Sequence, residues 1–310
     1  MECSYEPRNC ERDAKRVQMQ KYLRQGELQF SAGYKMQTRW GAAEAAVFAL
    51  ECAGASLFAT ALFVFELPMA LAAGIAMVAL AVFLLFAHLG HPARAWRALG
   101  NLRESWISRG TVVLGGFLGL GILYCLLRFG AGMEATDGAA RVATWLLLGA
   151  SAFILVYPGL VLSASPAIPF WSSGLLPVMS AGNGMTSGLA LFMAIAAADE
   201  TAPASIAPLD SLQLWLLVAL SVVLFLYVVV MIRRGGTAKE SAGCLLTREA
   251  WLFGGAGCAL GLGIPMAIAV GVAGAGSVAG LLVLAAVARL CGDFAIRYAF
   301  LRAGMFSPLV

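Results

Sequence analysis

Eight long apolar runs, each close to the length a bilayer crossing requires, constrain this chain more than any motif in it. They occupy residues 41–65, 69–90, 111–132, 141–164, 177–198, 211–232, 252–274 and 278–300. A spanning helix takes about 20 mostly apolar residues. Lipid offers no partner to an open backbone, so such runs are either helices or strands of a closed barrel. Barrel strands alternate polar and apolar over about ten residues, whereas these runs are continuous. The expected fold is all-α, a polytopic bundle of eight transmembrane helices. Composition agrees: 61% of residues are hydrophobic and 12% charged, against about 25% charged in soluble domains. A soluble enzyme is excluded.

The polar remainder is short. Residues 1–40 form an N-terminal arm carrying eight Lys or Arg, with no cleavable signal pattern, and are expected to stay as a cytoplasmic extension. Residues 41–303 form the membrane domain and 304–310 a tail. With the N-terminus inside, the inner segments hold 17 of the 21 basic residues, while the outer loops carry Glu66, Glu134, Asp137, Asp199, Glu200 and Asp210. That bias places both termini in the cytoplasm. The inner segment 165–176 is uncharged; its Pro166 and Pro169 bar a regular helix, and Phe170 and Trp171 suit the membrane interface.

Side chains able to carry chemistry are few. Seven cysteines are scattered without a Cys-x-x-Cys pair, so no metal site is indicated. His88 and His91 are the two histidines, which leaves no facing pairs to hold haem across a bundle. His88 closes the second run: it either exchanges protons with a ligand at the membrane edge or caps its own helix through a backbone carbonyl. Arg94 and Arg97 flank Trp96 in a short interfacial helix. In the last run Arg289, Asp293 and Arg297 follow one another at i, i+4 and i+8, stacking a carboxylate between two guanidiniums. Each charge inside a span costs about 2.5–3.5 kcal/mol, so the triad is either self-compensating glue or the polar wall of a proton path or ligand site. Glu51 is a second intramembrane acid, a proton relay or a partner for Arg289. Tyr157, before the kink-forming Pro158, and Trp171 fall at the same inner depth as His88, Asp293 and Arg297. Convergence of polar groups from several helices is what a ligand pocket requires.

The segment Phe86-Ala87-His88-Leu89-Gly90-His91-Pro92-Ala93-Arg94-Ala95-Trp96-Arg97-Ala98-Leu99 resembles the His-Leu-Gly-x-Pro-x-Arg-Ala stretch of the NrfD/DmsC-like membrane anchors. Gln37-Thr38-Arg39-Trp40-Gly41 and Ile168-Pro169-Phe170-Trp171-Ser172-Ser173 are similar to two further stretches of that family. The resemblance, to the anchors of dimethyl sulfoxide reductase, polysulfide reductase and phenylacetyl-CoA:acceptor oxidoreductase, implies a multi-pass subunit of a bacterial or archaeal cytoplasmic membrane. Such a subunit carries no haem or metal. It binds a quinone (ubiquinone or menaquinone) and exchanges electrons with an iron–sulfur subunit, which serves a molybdopterin catalytic subunit in anaerobic respiration. The bilayer and those two subunits are the expected partners, with no nucleic acid. By position His88 becomes the quinone-site histidine; from their own depth and charge, Asp293, Arg297, Tyr157, Trp171 and Glu51 are expected to join it in quinone binding or proton transfer, and Arg94, Arg97, Arg103 and Arg109 to contact partner or headgroup. One departure stands out: many relatives place an acid after the Ser-x-x-Ser-Arg/Asn stretch, where this chain has Gly110. Two other readings remain open, a secondary transporter using the Arg289/Asp293/Arg297 face and a passive anchor without a quinone site.

Overall fold

The computed structural model describes residues 35–88, 100–135, 137–199, 207–275 and 279–307. The arm through residue 34, together with Arg94 and Arg97, lies outside the described residues. Among those described, eight helices are long and apolar enough to cross a membrane. In chain order the helices are α1 (Ala42–Val64), α2 (Pro68–His88), α3 (Trp106–Cys125), α4 (Gly138–Ser163), α5 (Leu175–Ala198), α6 (Ala207–Arg234), α7 (Gly236–Leu246), α8 (Ile264–Ala275) and α9 (Ala279–Arg302). Two π-helical stretches, Leu126–Gly130 and Trp251–Gly263, extend α3 and precede α8, so that Trp251–Gly271 makes the seventh crossing. The face where α1 begins is called near and the opposite one far; successive crossings alternate between them.

The expected crossings and the observed ones agree to a few residues. The largest shift is at α3, which starts at Trp106 rather than 111. Ser105 caps it, its hydroxyl accepting from the Ser108 amide at 3.3 Å, and this holds a polar first turn in the helix. Sequence reading also passed over α7, which lies in the polar stretch after α6. Its Ala238, Ser241, Ala242 and Leu245 are buried, the i, i+3, i+4, i+7 signature of a helix laid on a surface.

Three helices form the interior. Windows of α1, α5 and α9 are 67%, 61% and 50% buried, against 28% for α2, α3 and α6, whose exposed Phe83, Val112 and Phe225 face outward as lipid contacts would. Small residues allow the inner helices to approach closely. A Cβ on Gly292 of α9 would fall 2.1 Å from the Cα of Gly261, and one on Gly188 of α5 would fall 2.4 Å from the Cβ of Ser56 on α1.

The near face is closed by the chain's own loops. Residues 164–174 fold into turns rather than lying exposed at the interface: Phe170 and Trp171 are buried. The Tyr227 hydroxyl donates to the Phe170 carbonyl, Trp171 Nε1 donates to the Phe300 carbonyl at 3.1 Å, and Arg234 donates to the carbonyls of Pro169 and Ser172 at 3.1 and 2.8 Å. Lys35–Met36 (β1) pairs antiparallel with Met305–Phe306 (β2), joining the described end of the arm to the tail.

Candidate functional site

A proline helps to build the polar interior by withdrawing an amide. Pro158 in α4 has no N–H, so the Ile154 carbonyl one turn earlier lacks its helical donor. The Cys52 thiol of α1 lies 3.5 Å from it. On the seventh crossing the Gly261 carbonyl lies 3.5 Å from Arg289 Nη1, so a buried guanidinium finds backbone oxygen there.

Asp293 and Arg297 form an ion pair within α9, Arg297 Nε donating to Asp293 Oδ1 at 2.6 Å. From α5, Ser187 donates to the other carboxylate oxygen at 3.3 Å, and the Ser180 hydroxyl and carbonyl each accept from Arg297 at 3.2 Å. Both members of the pair are buried. Arg289, with no exposed surface, is held instead by neutral acceptors: Thr186 Oγ1 at 2.8 Å and Asn183 Oδ1 at 2.5 Å. The sequence-level picture of Asp293 clasped by two guanidiniums is therefore corrected. Of the two arginines Arg297 alone is hydrogen-bonded to it, because α5 supplies the groups that take Arg289.

Glu51 is buried on α1, and its Oε1 has no hydrogen-bond partner among the described residues. It lies within electrostatic reach of Arg297 and Tyr157. The alternative of a Glu51–Arg289 pair is not realised; Arg289 is engaged by α5. Tyr157 occupies the space beside Gly110: a Cβ there would fall 2.1 Å from the tyrosine ring. The glycine's vacant side is thus filled by a tyrosine from α4.

A cavity of about 30 Å³ touches this cluster, lined among others by Phe48, Pro158, Met179, Ser180, Arg297 and Phe300. That is room for about two waters and less than a quinone ring needs, so a ring requires side chains such as Phe48 to move. Among the described residues, no three His, Cys, Asp or Glu side chains gather as a metal site would.

The remaining sequence candidates stand apart from the cluster. His88 is exposed at the near end of α2, its Nδ1 bonded to the Leu84 carbonyl at 2.9 Å. Trp171 is fixed by Phe300 and packs on Gly304. Arg109 binds the carbonyls of Leu102 and Arg103 and lies over the Trp106 ring, tying the near-face loop to α3, while Arg103 is exposed. Sequence reading missed Ser180, Asn183, Thr186 and Ser187. Their spacing of i, i+3, i+6 and i+7 in an apolar run was the available signal, a polar stripe on one face of α5.

A comparison with curated proteins finds no match. The profile of the family described as polysulphide reductase, NrfD, matches residues 36–308. That span runs from β1 to β2 and takes in all eight crossings, the Ser180–Ser187 stripe and the buried α9 charges. This polytopic membrane protein therefore belongs to the NrfD family.

Proposed function

We propose that the chain is the quinone-binding membrane subunit of a heteromeric oxidoreductase, passing electrons between a quinone of the bilayer and an iron–sulfur partner. Family membership supports the coarser part, a membrane subunit of polysulphide reductase-type complexes. One observation carries the finer part: Arg297 lines a near-half cavity, its ion-pair partner Asp293 and the acid Glu51 are buried behind it, and one Glu51 oxygen has no partner among the described residues. A buried carboxyl with an open acceptor suits a group that takes up and gives back protons as a quinone changes oxidation state.

His88, apart from the cluster at the near end of α2, would meet the quinone at the membrane edge. If its Nδ1 carries the proton donated to Leu84, Nε2 of the neutral ring is an acceptor, able to receive a hydrogen bond from a quinol hydroxyl. When bound, the quinone supplies the two-electron redox chemistry. The chain's own residues bind it and route protons, and the metal centres would lie in an iron–sulfur subunit and a molybdopterin subunit. Those subunits would dock at the near face, where Arg39, Arg103, Arg109 and Arg248 are found. On the basic-residue bias this face is cytoplasmic, in a bacterial or archaeal inner membrane.

The transporter reading has less support, because the donors of Arg289 and Arg297 are engaged by α5 and Asp293 rather than presented to a substrate. The experiment is to purify the chain with whatever binds it and follow quinol oxidation against a soluble acceptor. Electron transfer by the complex, reduced at least tenfold in Glu51→Gln, is expected. A chain that purifies without cluster-bearing partners and moves solute in liposomes by itself would overturn the proposal.

A further inference from the structure

A second polar site lies in the far half of the bundle. Asp210 and Gln213, in the first two turns of α6, are both buried, and each has an oxygen without a hydrogen-bond partner among the described residues, Asp210 Oδ1 and Gln213 Oε1. Both line a cavity of about 10 Å³ between α5, α6, α8 and α9. Its other walls are Ala190, Met193, Pro265, Ile268, Ala269, Leu282 and Ala285, so among the described residues Asp210 and Gln213 are the polar side chains that face it.

The cavity is the size of one water. A water has two O–H donors, and the cavity offers two open acceptors. A hard metal cation takes about six or more oxygens, and this lining supplies too few. The chemistry that fits is a water and the proton it carries.

The site connects to the cluster already described. Gln213 Nε2 donates to the Thr186 carbonyl at 3.0 Å, which sets the amide orientation and leaves Oε1 free for the cavity. The Thr186 hydroxyl accepts from Arg289 at 2.8 Å, and the adjacent Ser187 donates to Asp293 at 3.3 Å. Polar side chains therefore follow one another from Asp210 at the far end toward Glu51 in the near half: hydrogen bonds join Gln213, Thr186 and Arg289 in one group and Ser187, Asp293, Arg297 and Ser180 in another, and the two groups adjoin where Thr186 and Ser187 are neighbours on α5. Open oxygens lie at the two ends. Polar glue has no need of open ends, and an unsatisfied buried oxygen costs free energy in hydrocarbon. A path that exchanges protons at both ends requires them.

We propose that Asp210 and Gln213 form a water-holding proton site through which the far aqueous phase exchanges protons with the bundle interior. The inference rests on the quinone reading: oxidation of a quinol yields the quinone, two electrons for the partner's iron–sulfur clusters and two protons. At least part of that proton release leaves by Asp210 to the face opposite the electrons.

The test uses the whole complex in sealed vesicles of one orientation, oxidising quinol with a soluble acceptor while pH dyes report on each face. The readout is protons reaching the far face per electron transferred. In Asp210→Asn, a near-isosteric change, this ratio is expected to fall at least fivefold. In Gln213→Leu, which leaves the carboxyl but removes one water ligand, it is expected to fall about twofold to threefold. A ratio unchanged in Asp210→Asn overturns the inference, as does a wild-type complex that transfers electrons and delivers protons only to the near face. A complex that transfers no electrons from quinol sinks the function proposed above instead. Should Asp210→Asn not assemble, the infrared carboxyl band of the wild-type complex decides. A protonated-carboxyl band that shifts in D2O and is absent from Asp210→Glu at the same position supports the site, and a spectrum without a solvent-exchangeable band overturns it.

Discussion

Arg289 and Arg297 stand two turns apart on α9, both buried, yet they are held in different ways. Arg297 has a carboxylate at 2.6 Å, two oxygens of Ser180 and a cavity beside it. Arg289 has hydroxyl, amide and carbonyl oxygens from Thr186, Asn183 and Gly261. The difference separates two jobs on one helix face. A guanidinium on neutral acceptors can be lost at the cost of its hydrogen bonds alone, because what remains behind carries no charge. A guanidinium in an ion pair depends on its carboxylate, because removing one member leaves a desolvated charge behind.

The comparison breaks most readily at Asp293. Asp293→Asn keeps the shape and strands the Arg297 charge, an expected loss of about 3–5 kcal/mol, read as a lower midpoint of unfolding in detergent and poor accumulation in membranes. Arg289→Met removes the charge and leaves neutral acceptors unpaired, an expected loss of about 1–3 kcal/mol. A double change, Asp293→Asn with Arg297→Met, should recover part of what the first lost. If Arg289→Met proves costlier than Asp293→Asn, the two arginines are not distinguished as described.

The Arg289 end also depends on how tightly α9 meets the π-helical stretch Trp251–Gly263. At Gly292 a methyl would meet the Cα of Gly261, backbone against backbone, with no flexible side chain to yield. Gly292→Ala is expected to cost about 1–3 kcal/mol and to loosen the Gly261 carbonyl from Arg289. The same substitution at Gly116 of α3, where a Cβ meets nothing within 4 Å, should be nearly silent. Unfolding midpoints of the two variants sharpen the contrast, and equal midpoints would remove the close helix contact from the account.

The eight crossings were legible in the sequence because hydrophobic length is a local property that every turn repeats. The charges on α9 were legible too, since any Arg or Asp in such a run demands a reason. Their partners were not. Which helix answers Arg289 depends on the approach of α5 to α9, and nothing in the order of residues 278–300 reports that. Ser180, Asn183, Thr186 and Ser187 look like ordinary small polar residues until the stripe is read against a buried charge. The same limit applies to Gly110. Its missing side chain reads as a departure from the relatives, while the fold shows the space taken by Tyr157 from another helix. For segment 165–176 the sequence offered aromatics suited to an interface but not their partners, which Tyr227, Arg234 and Phe300 supply from other helices.

His88 gives the smallest structural effect and the sharpest functional one. It is exposed, sits at the C-terminal end of α2 and contacts its own helix through Leu84. Losing it removes one surface hydrogen bond and a favourable side chain at a helix end, an expected change within about 0.5 kcal/mol. If Nε2 accepts from a quinol hydroxyl, His88→Ala should slow quinol oxidation by about 100-fold while the midpoint of unfolding stays put. His88→Gln offers an amide oxygen to the same hydroxyl without accepting its proton, so it should restore quinol affinity more than turnover. Electron transfer that survives His88→Ala undiminished would leave this residue as a helix cap and move the proposed proton chemistry wholly to the buried acids near Arg297.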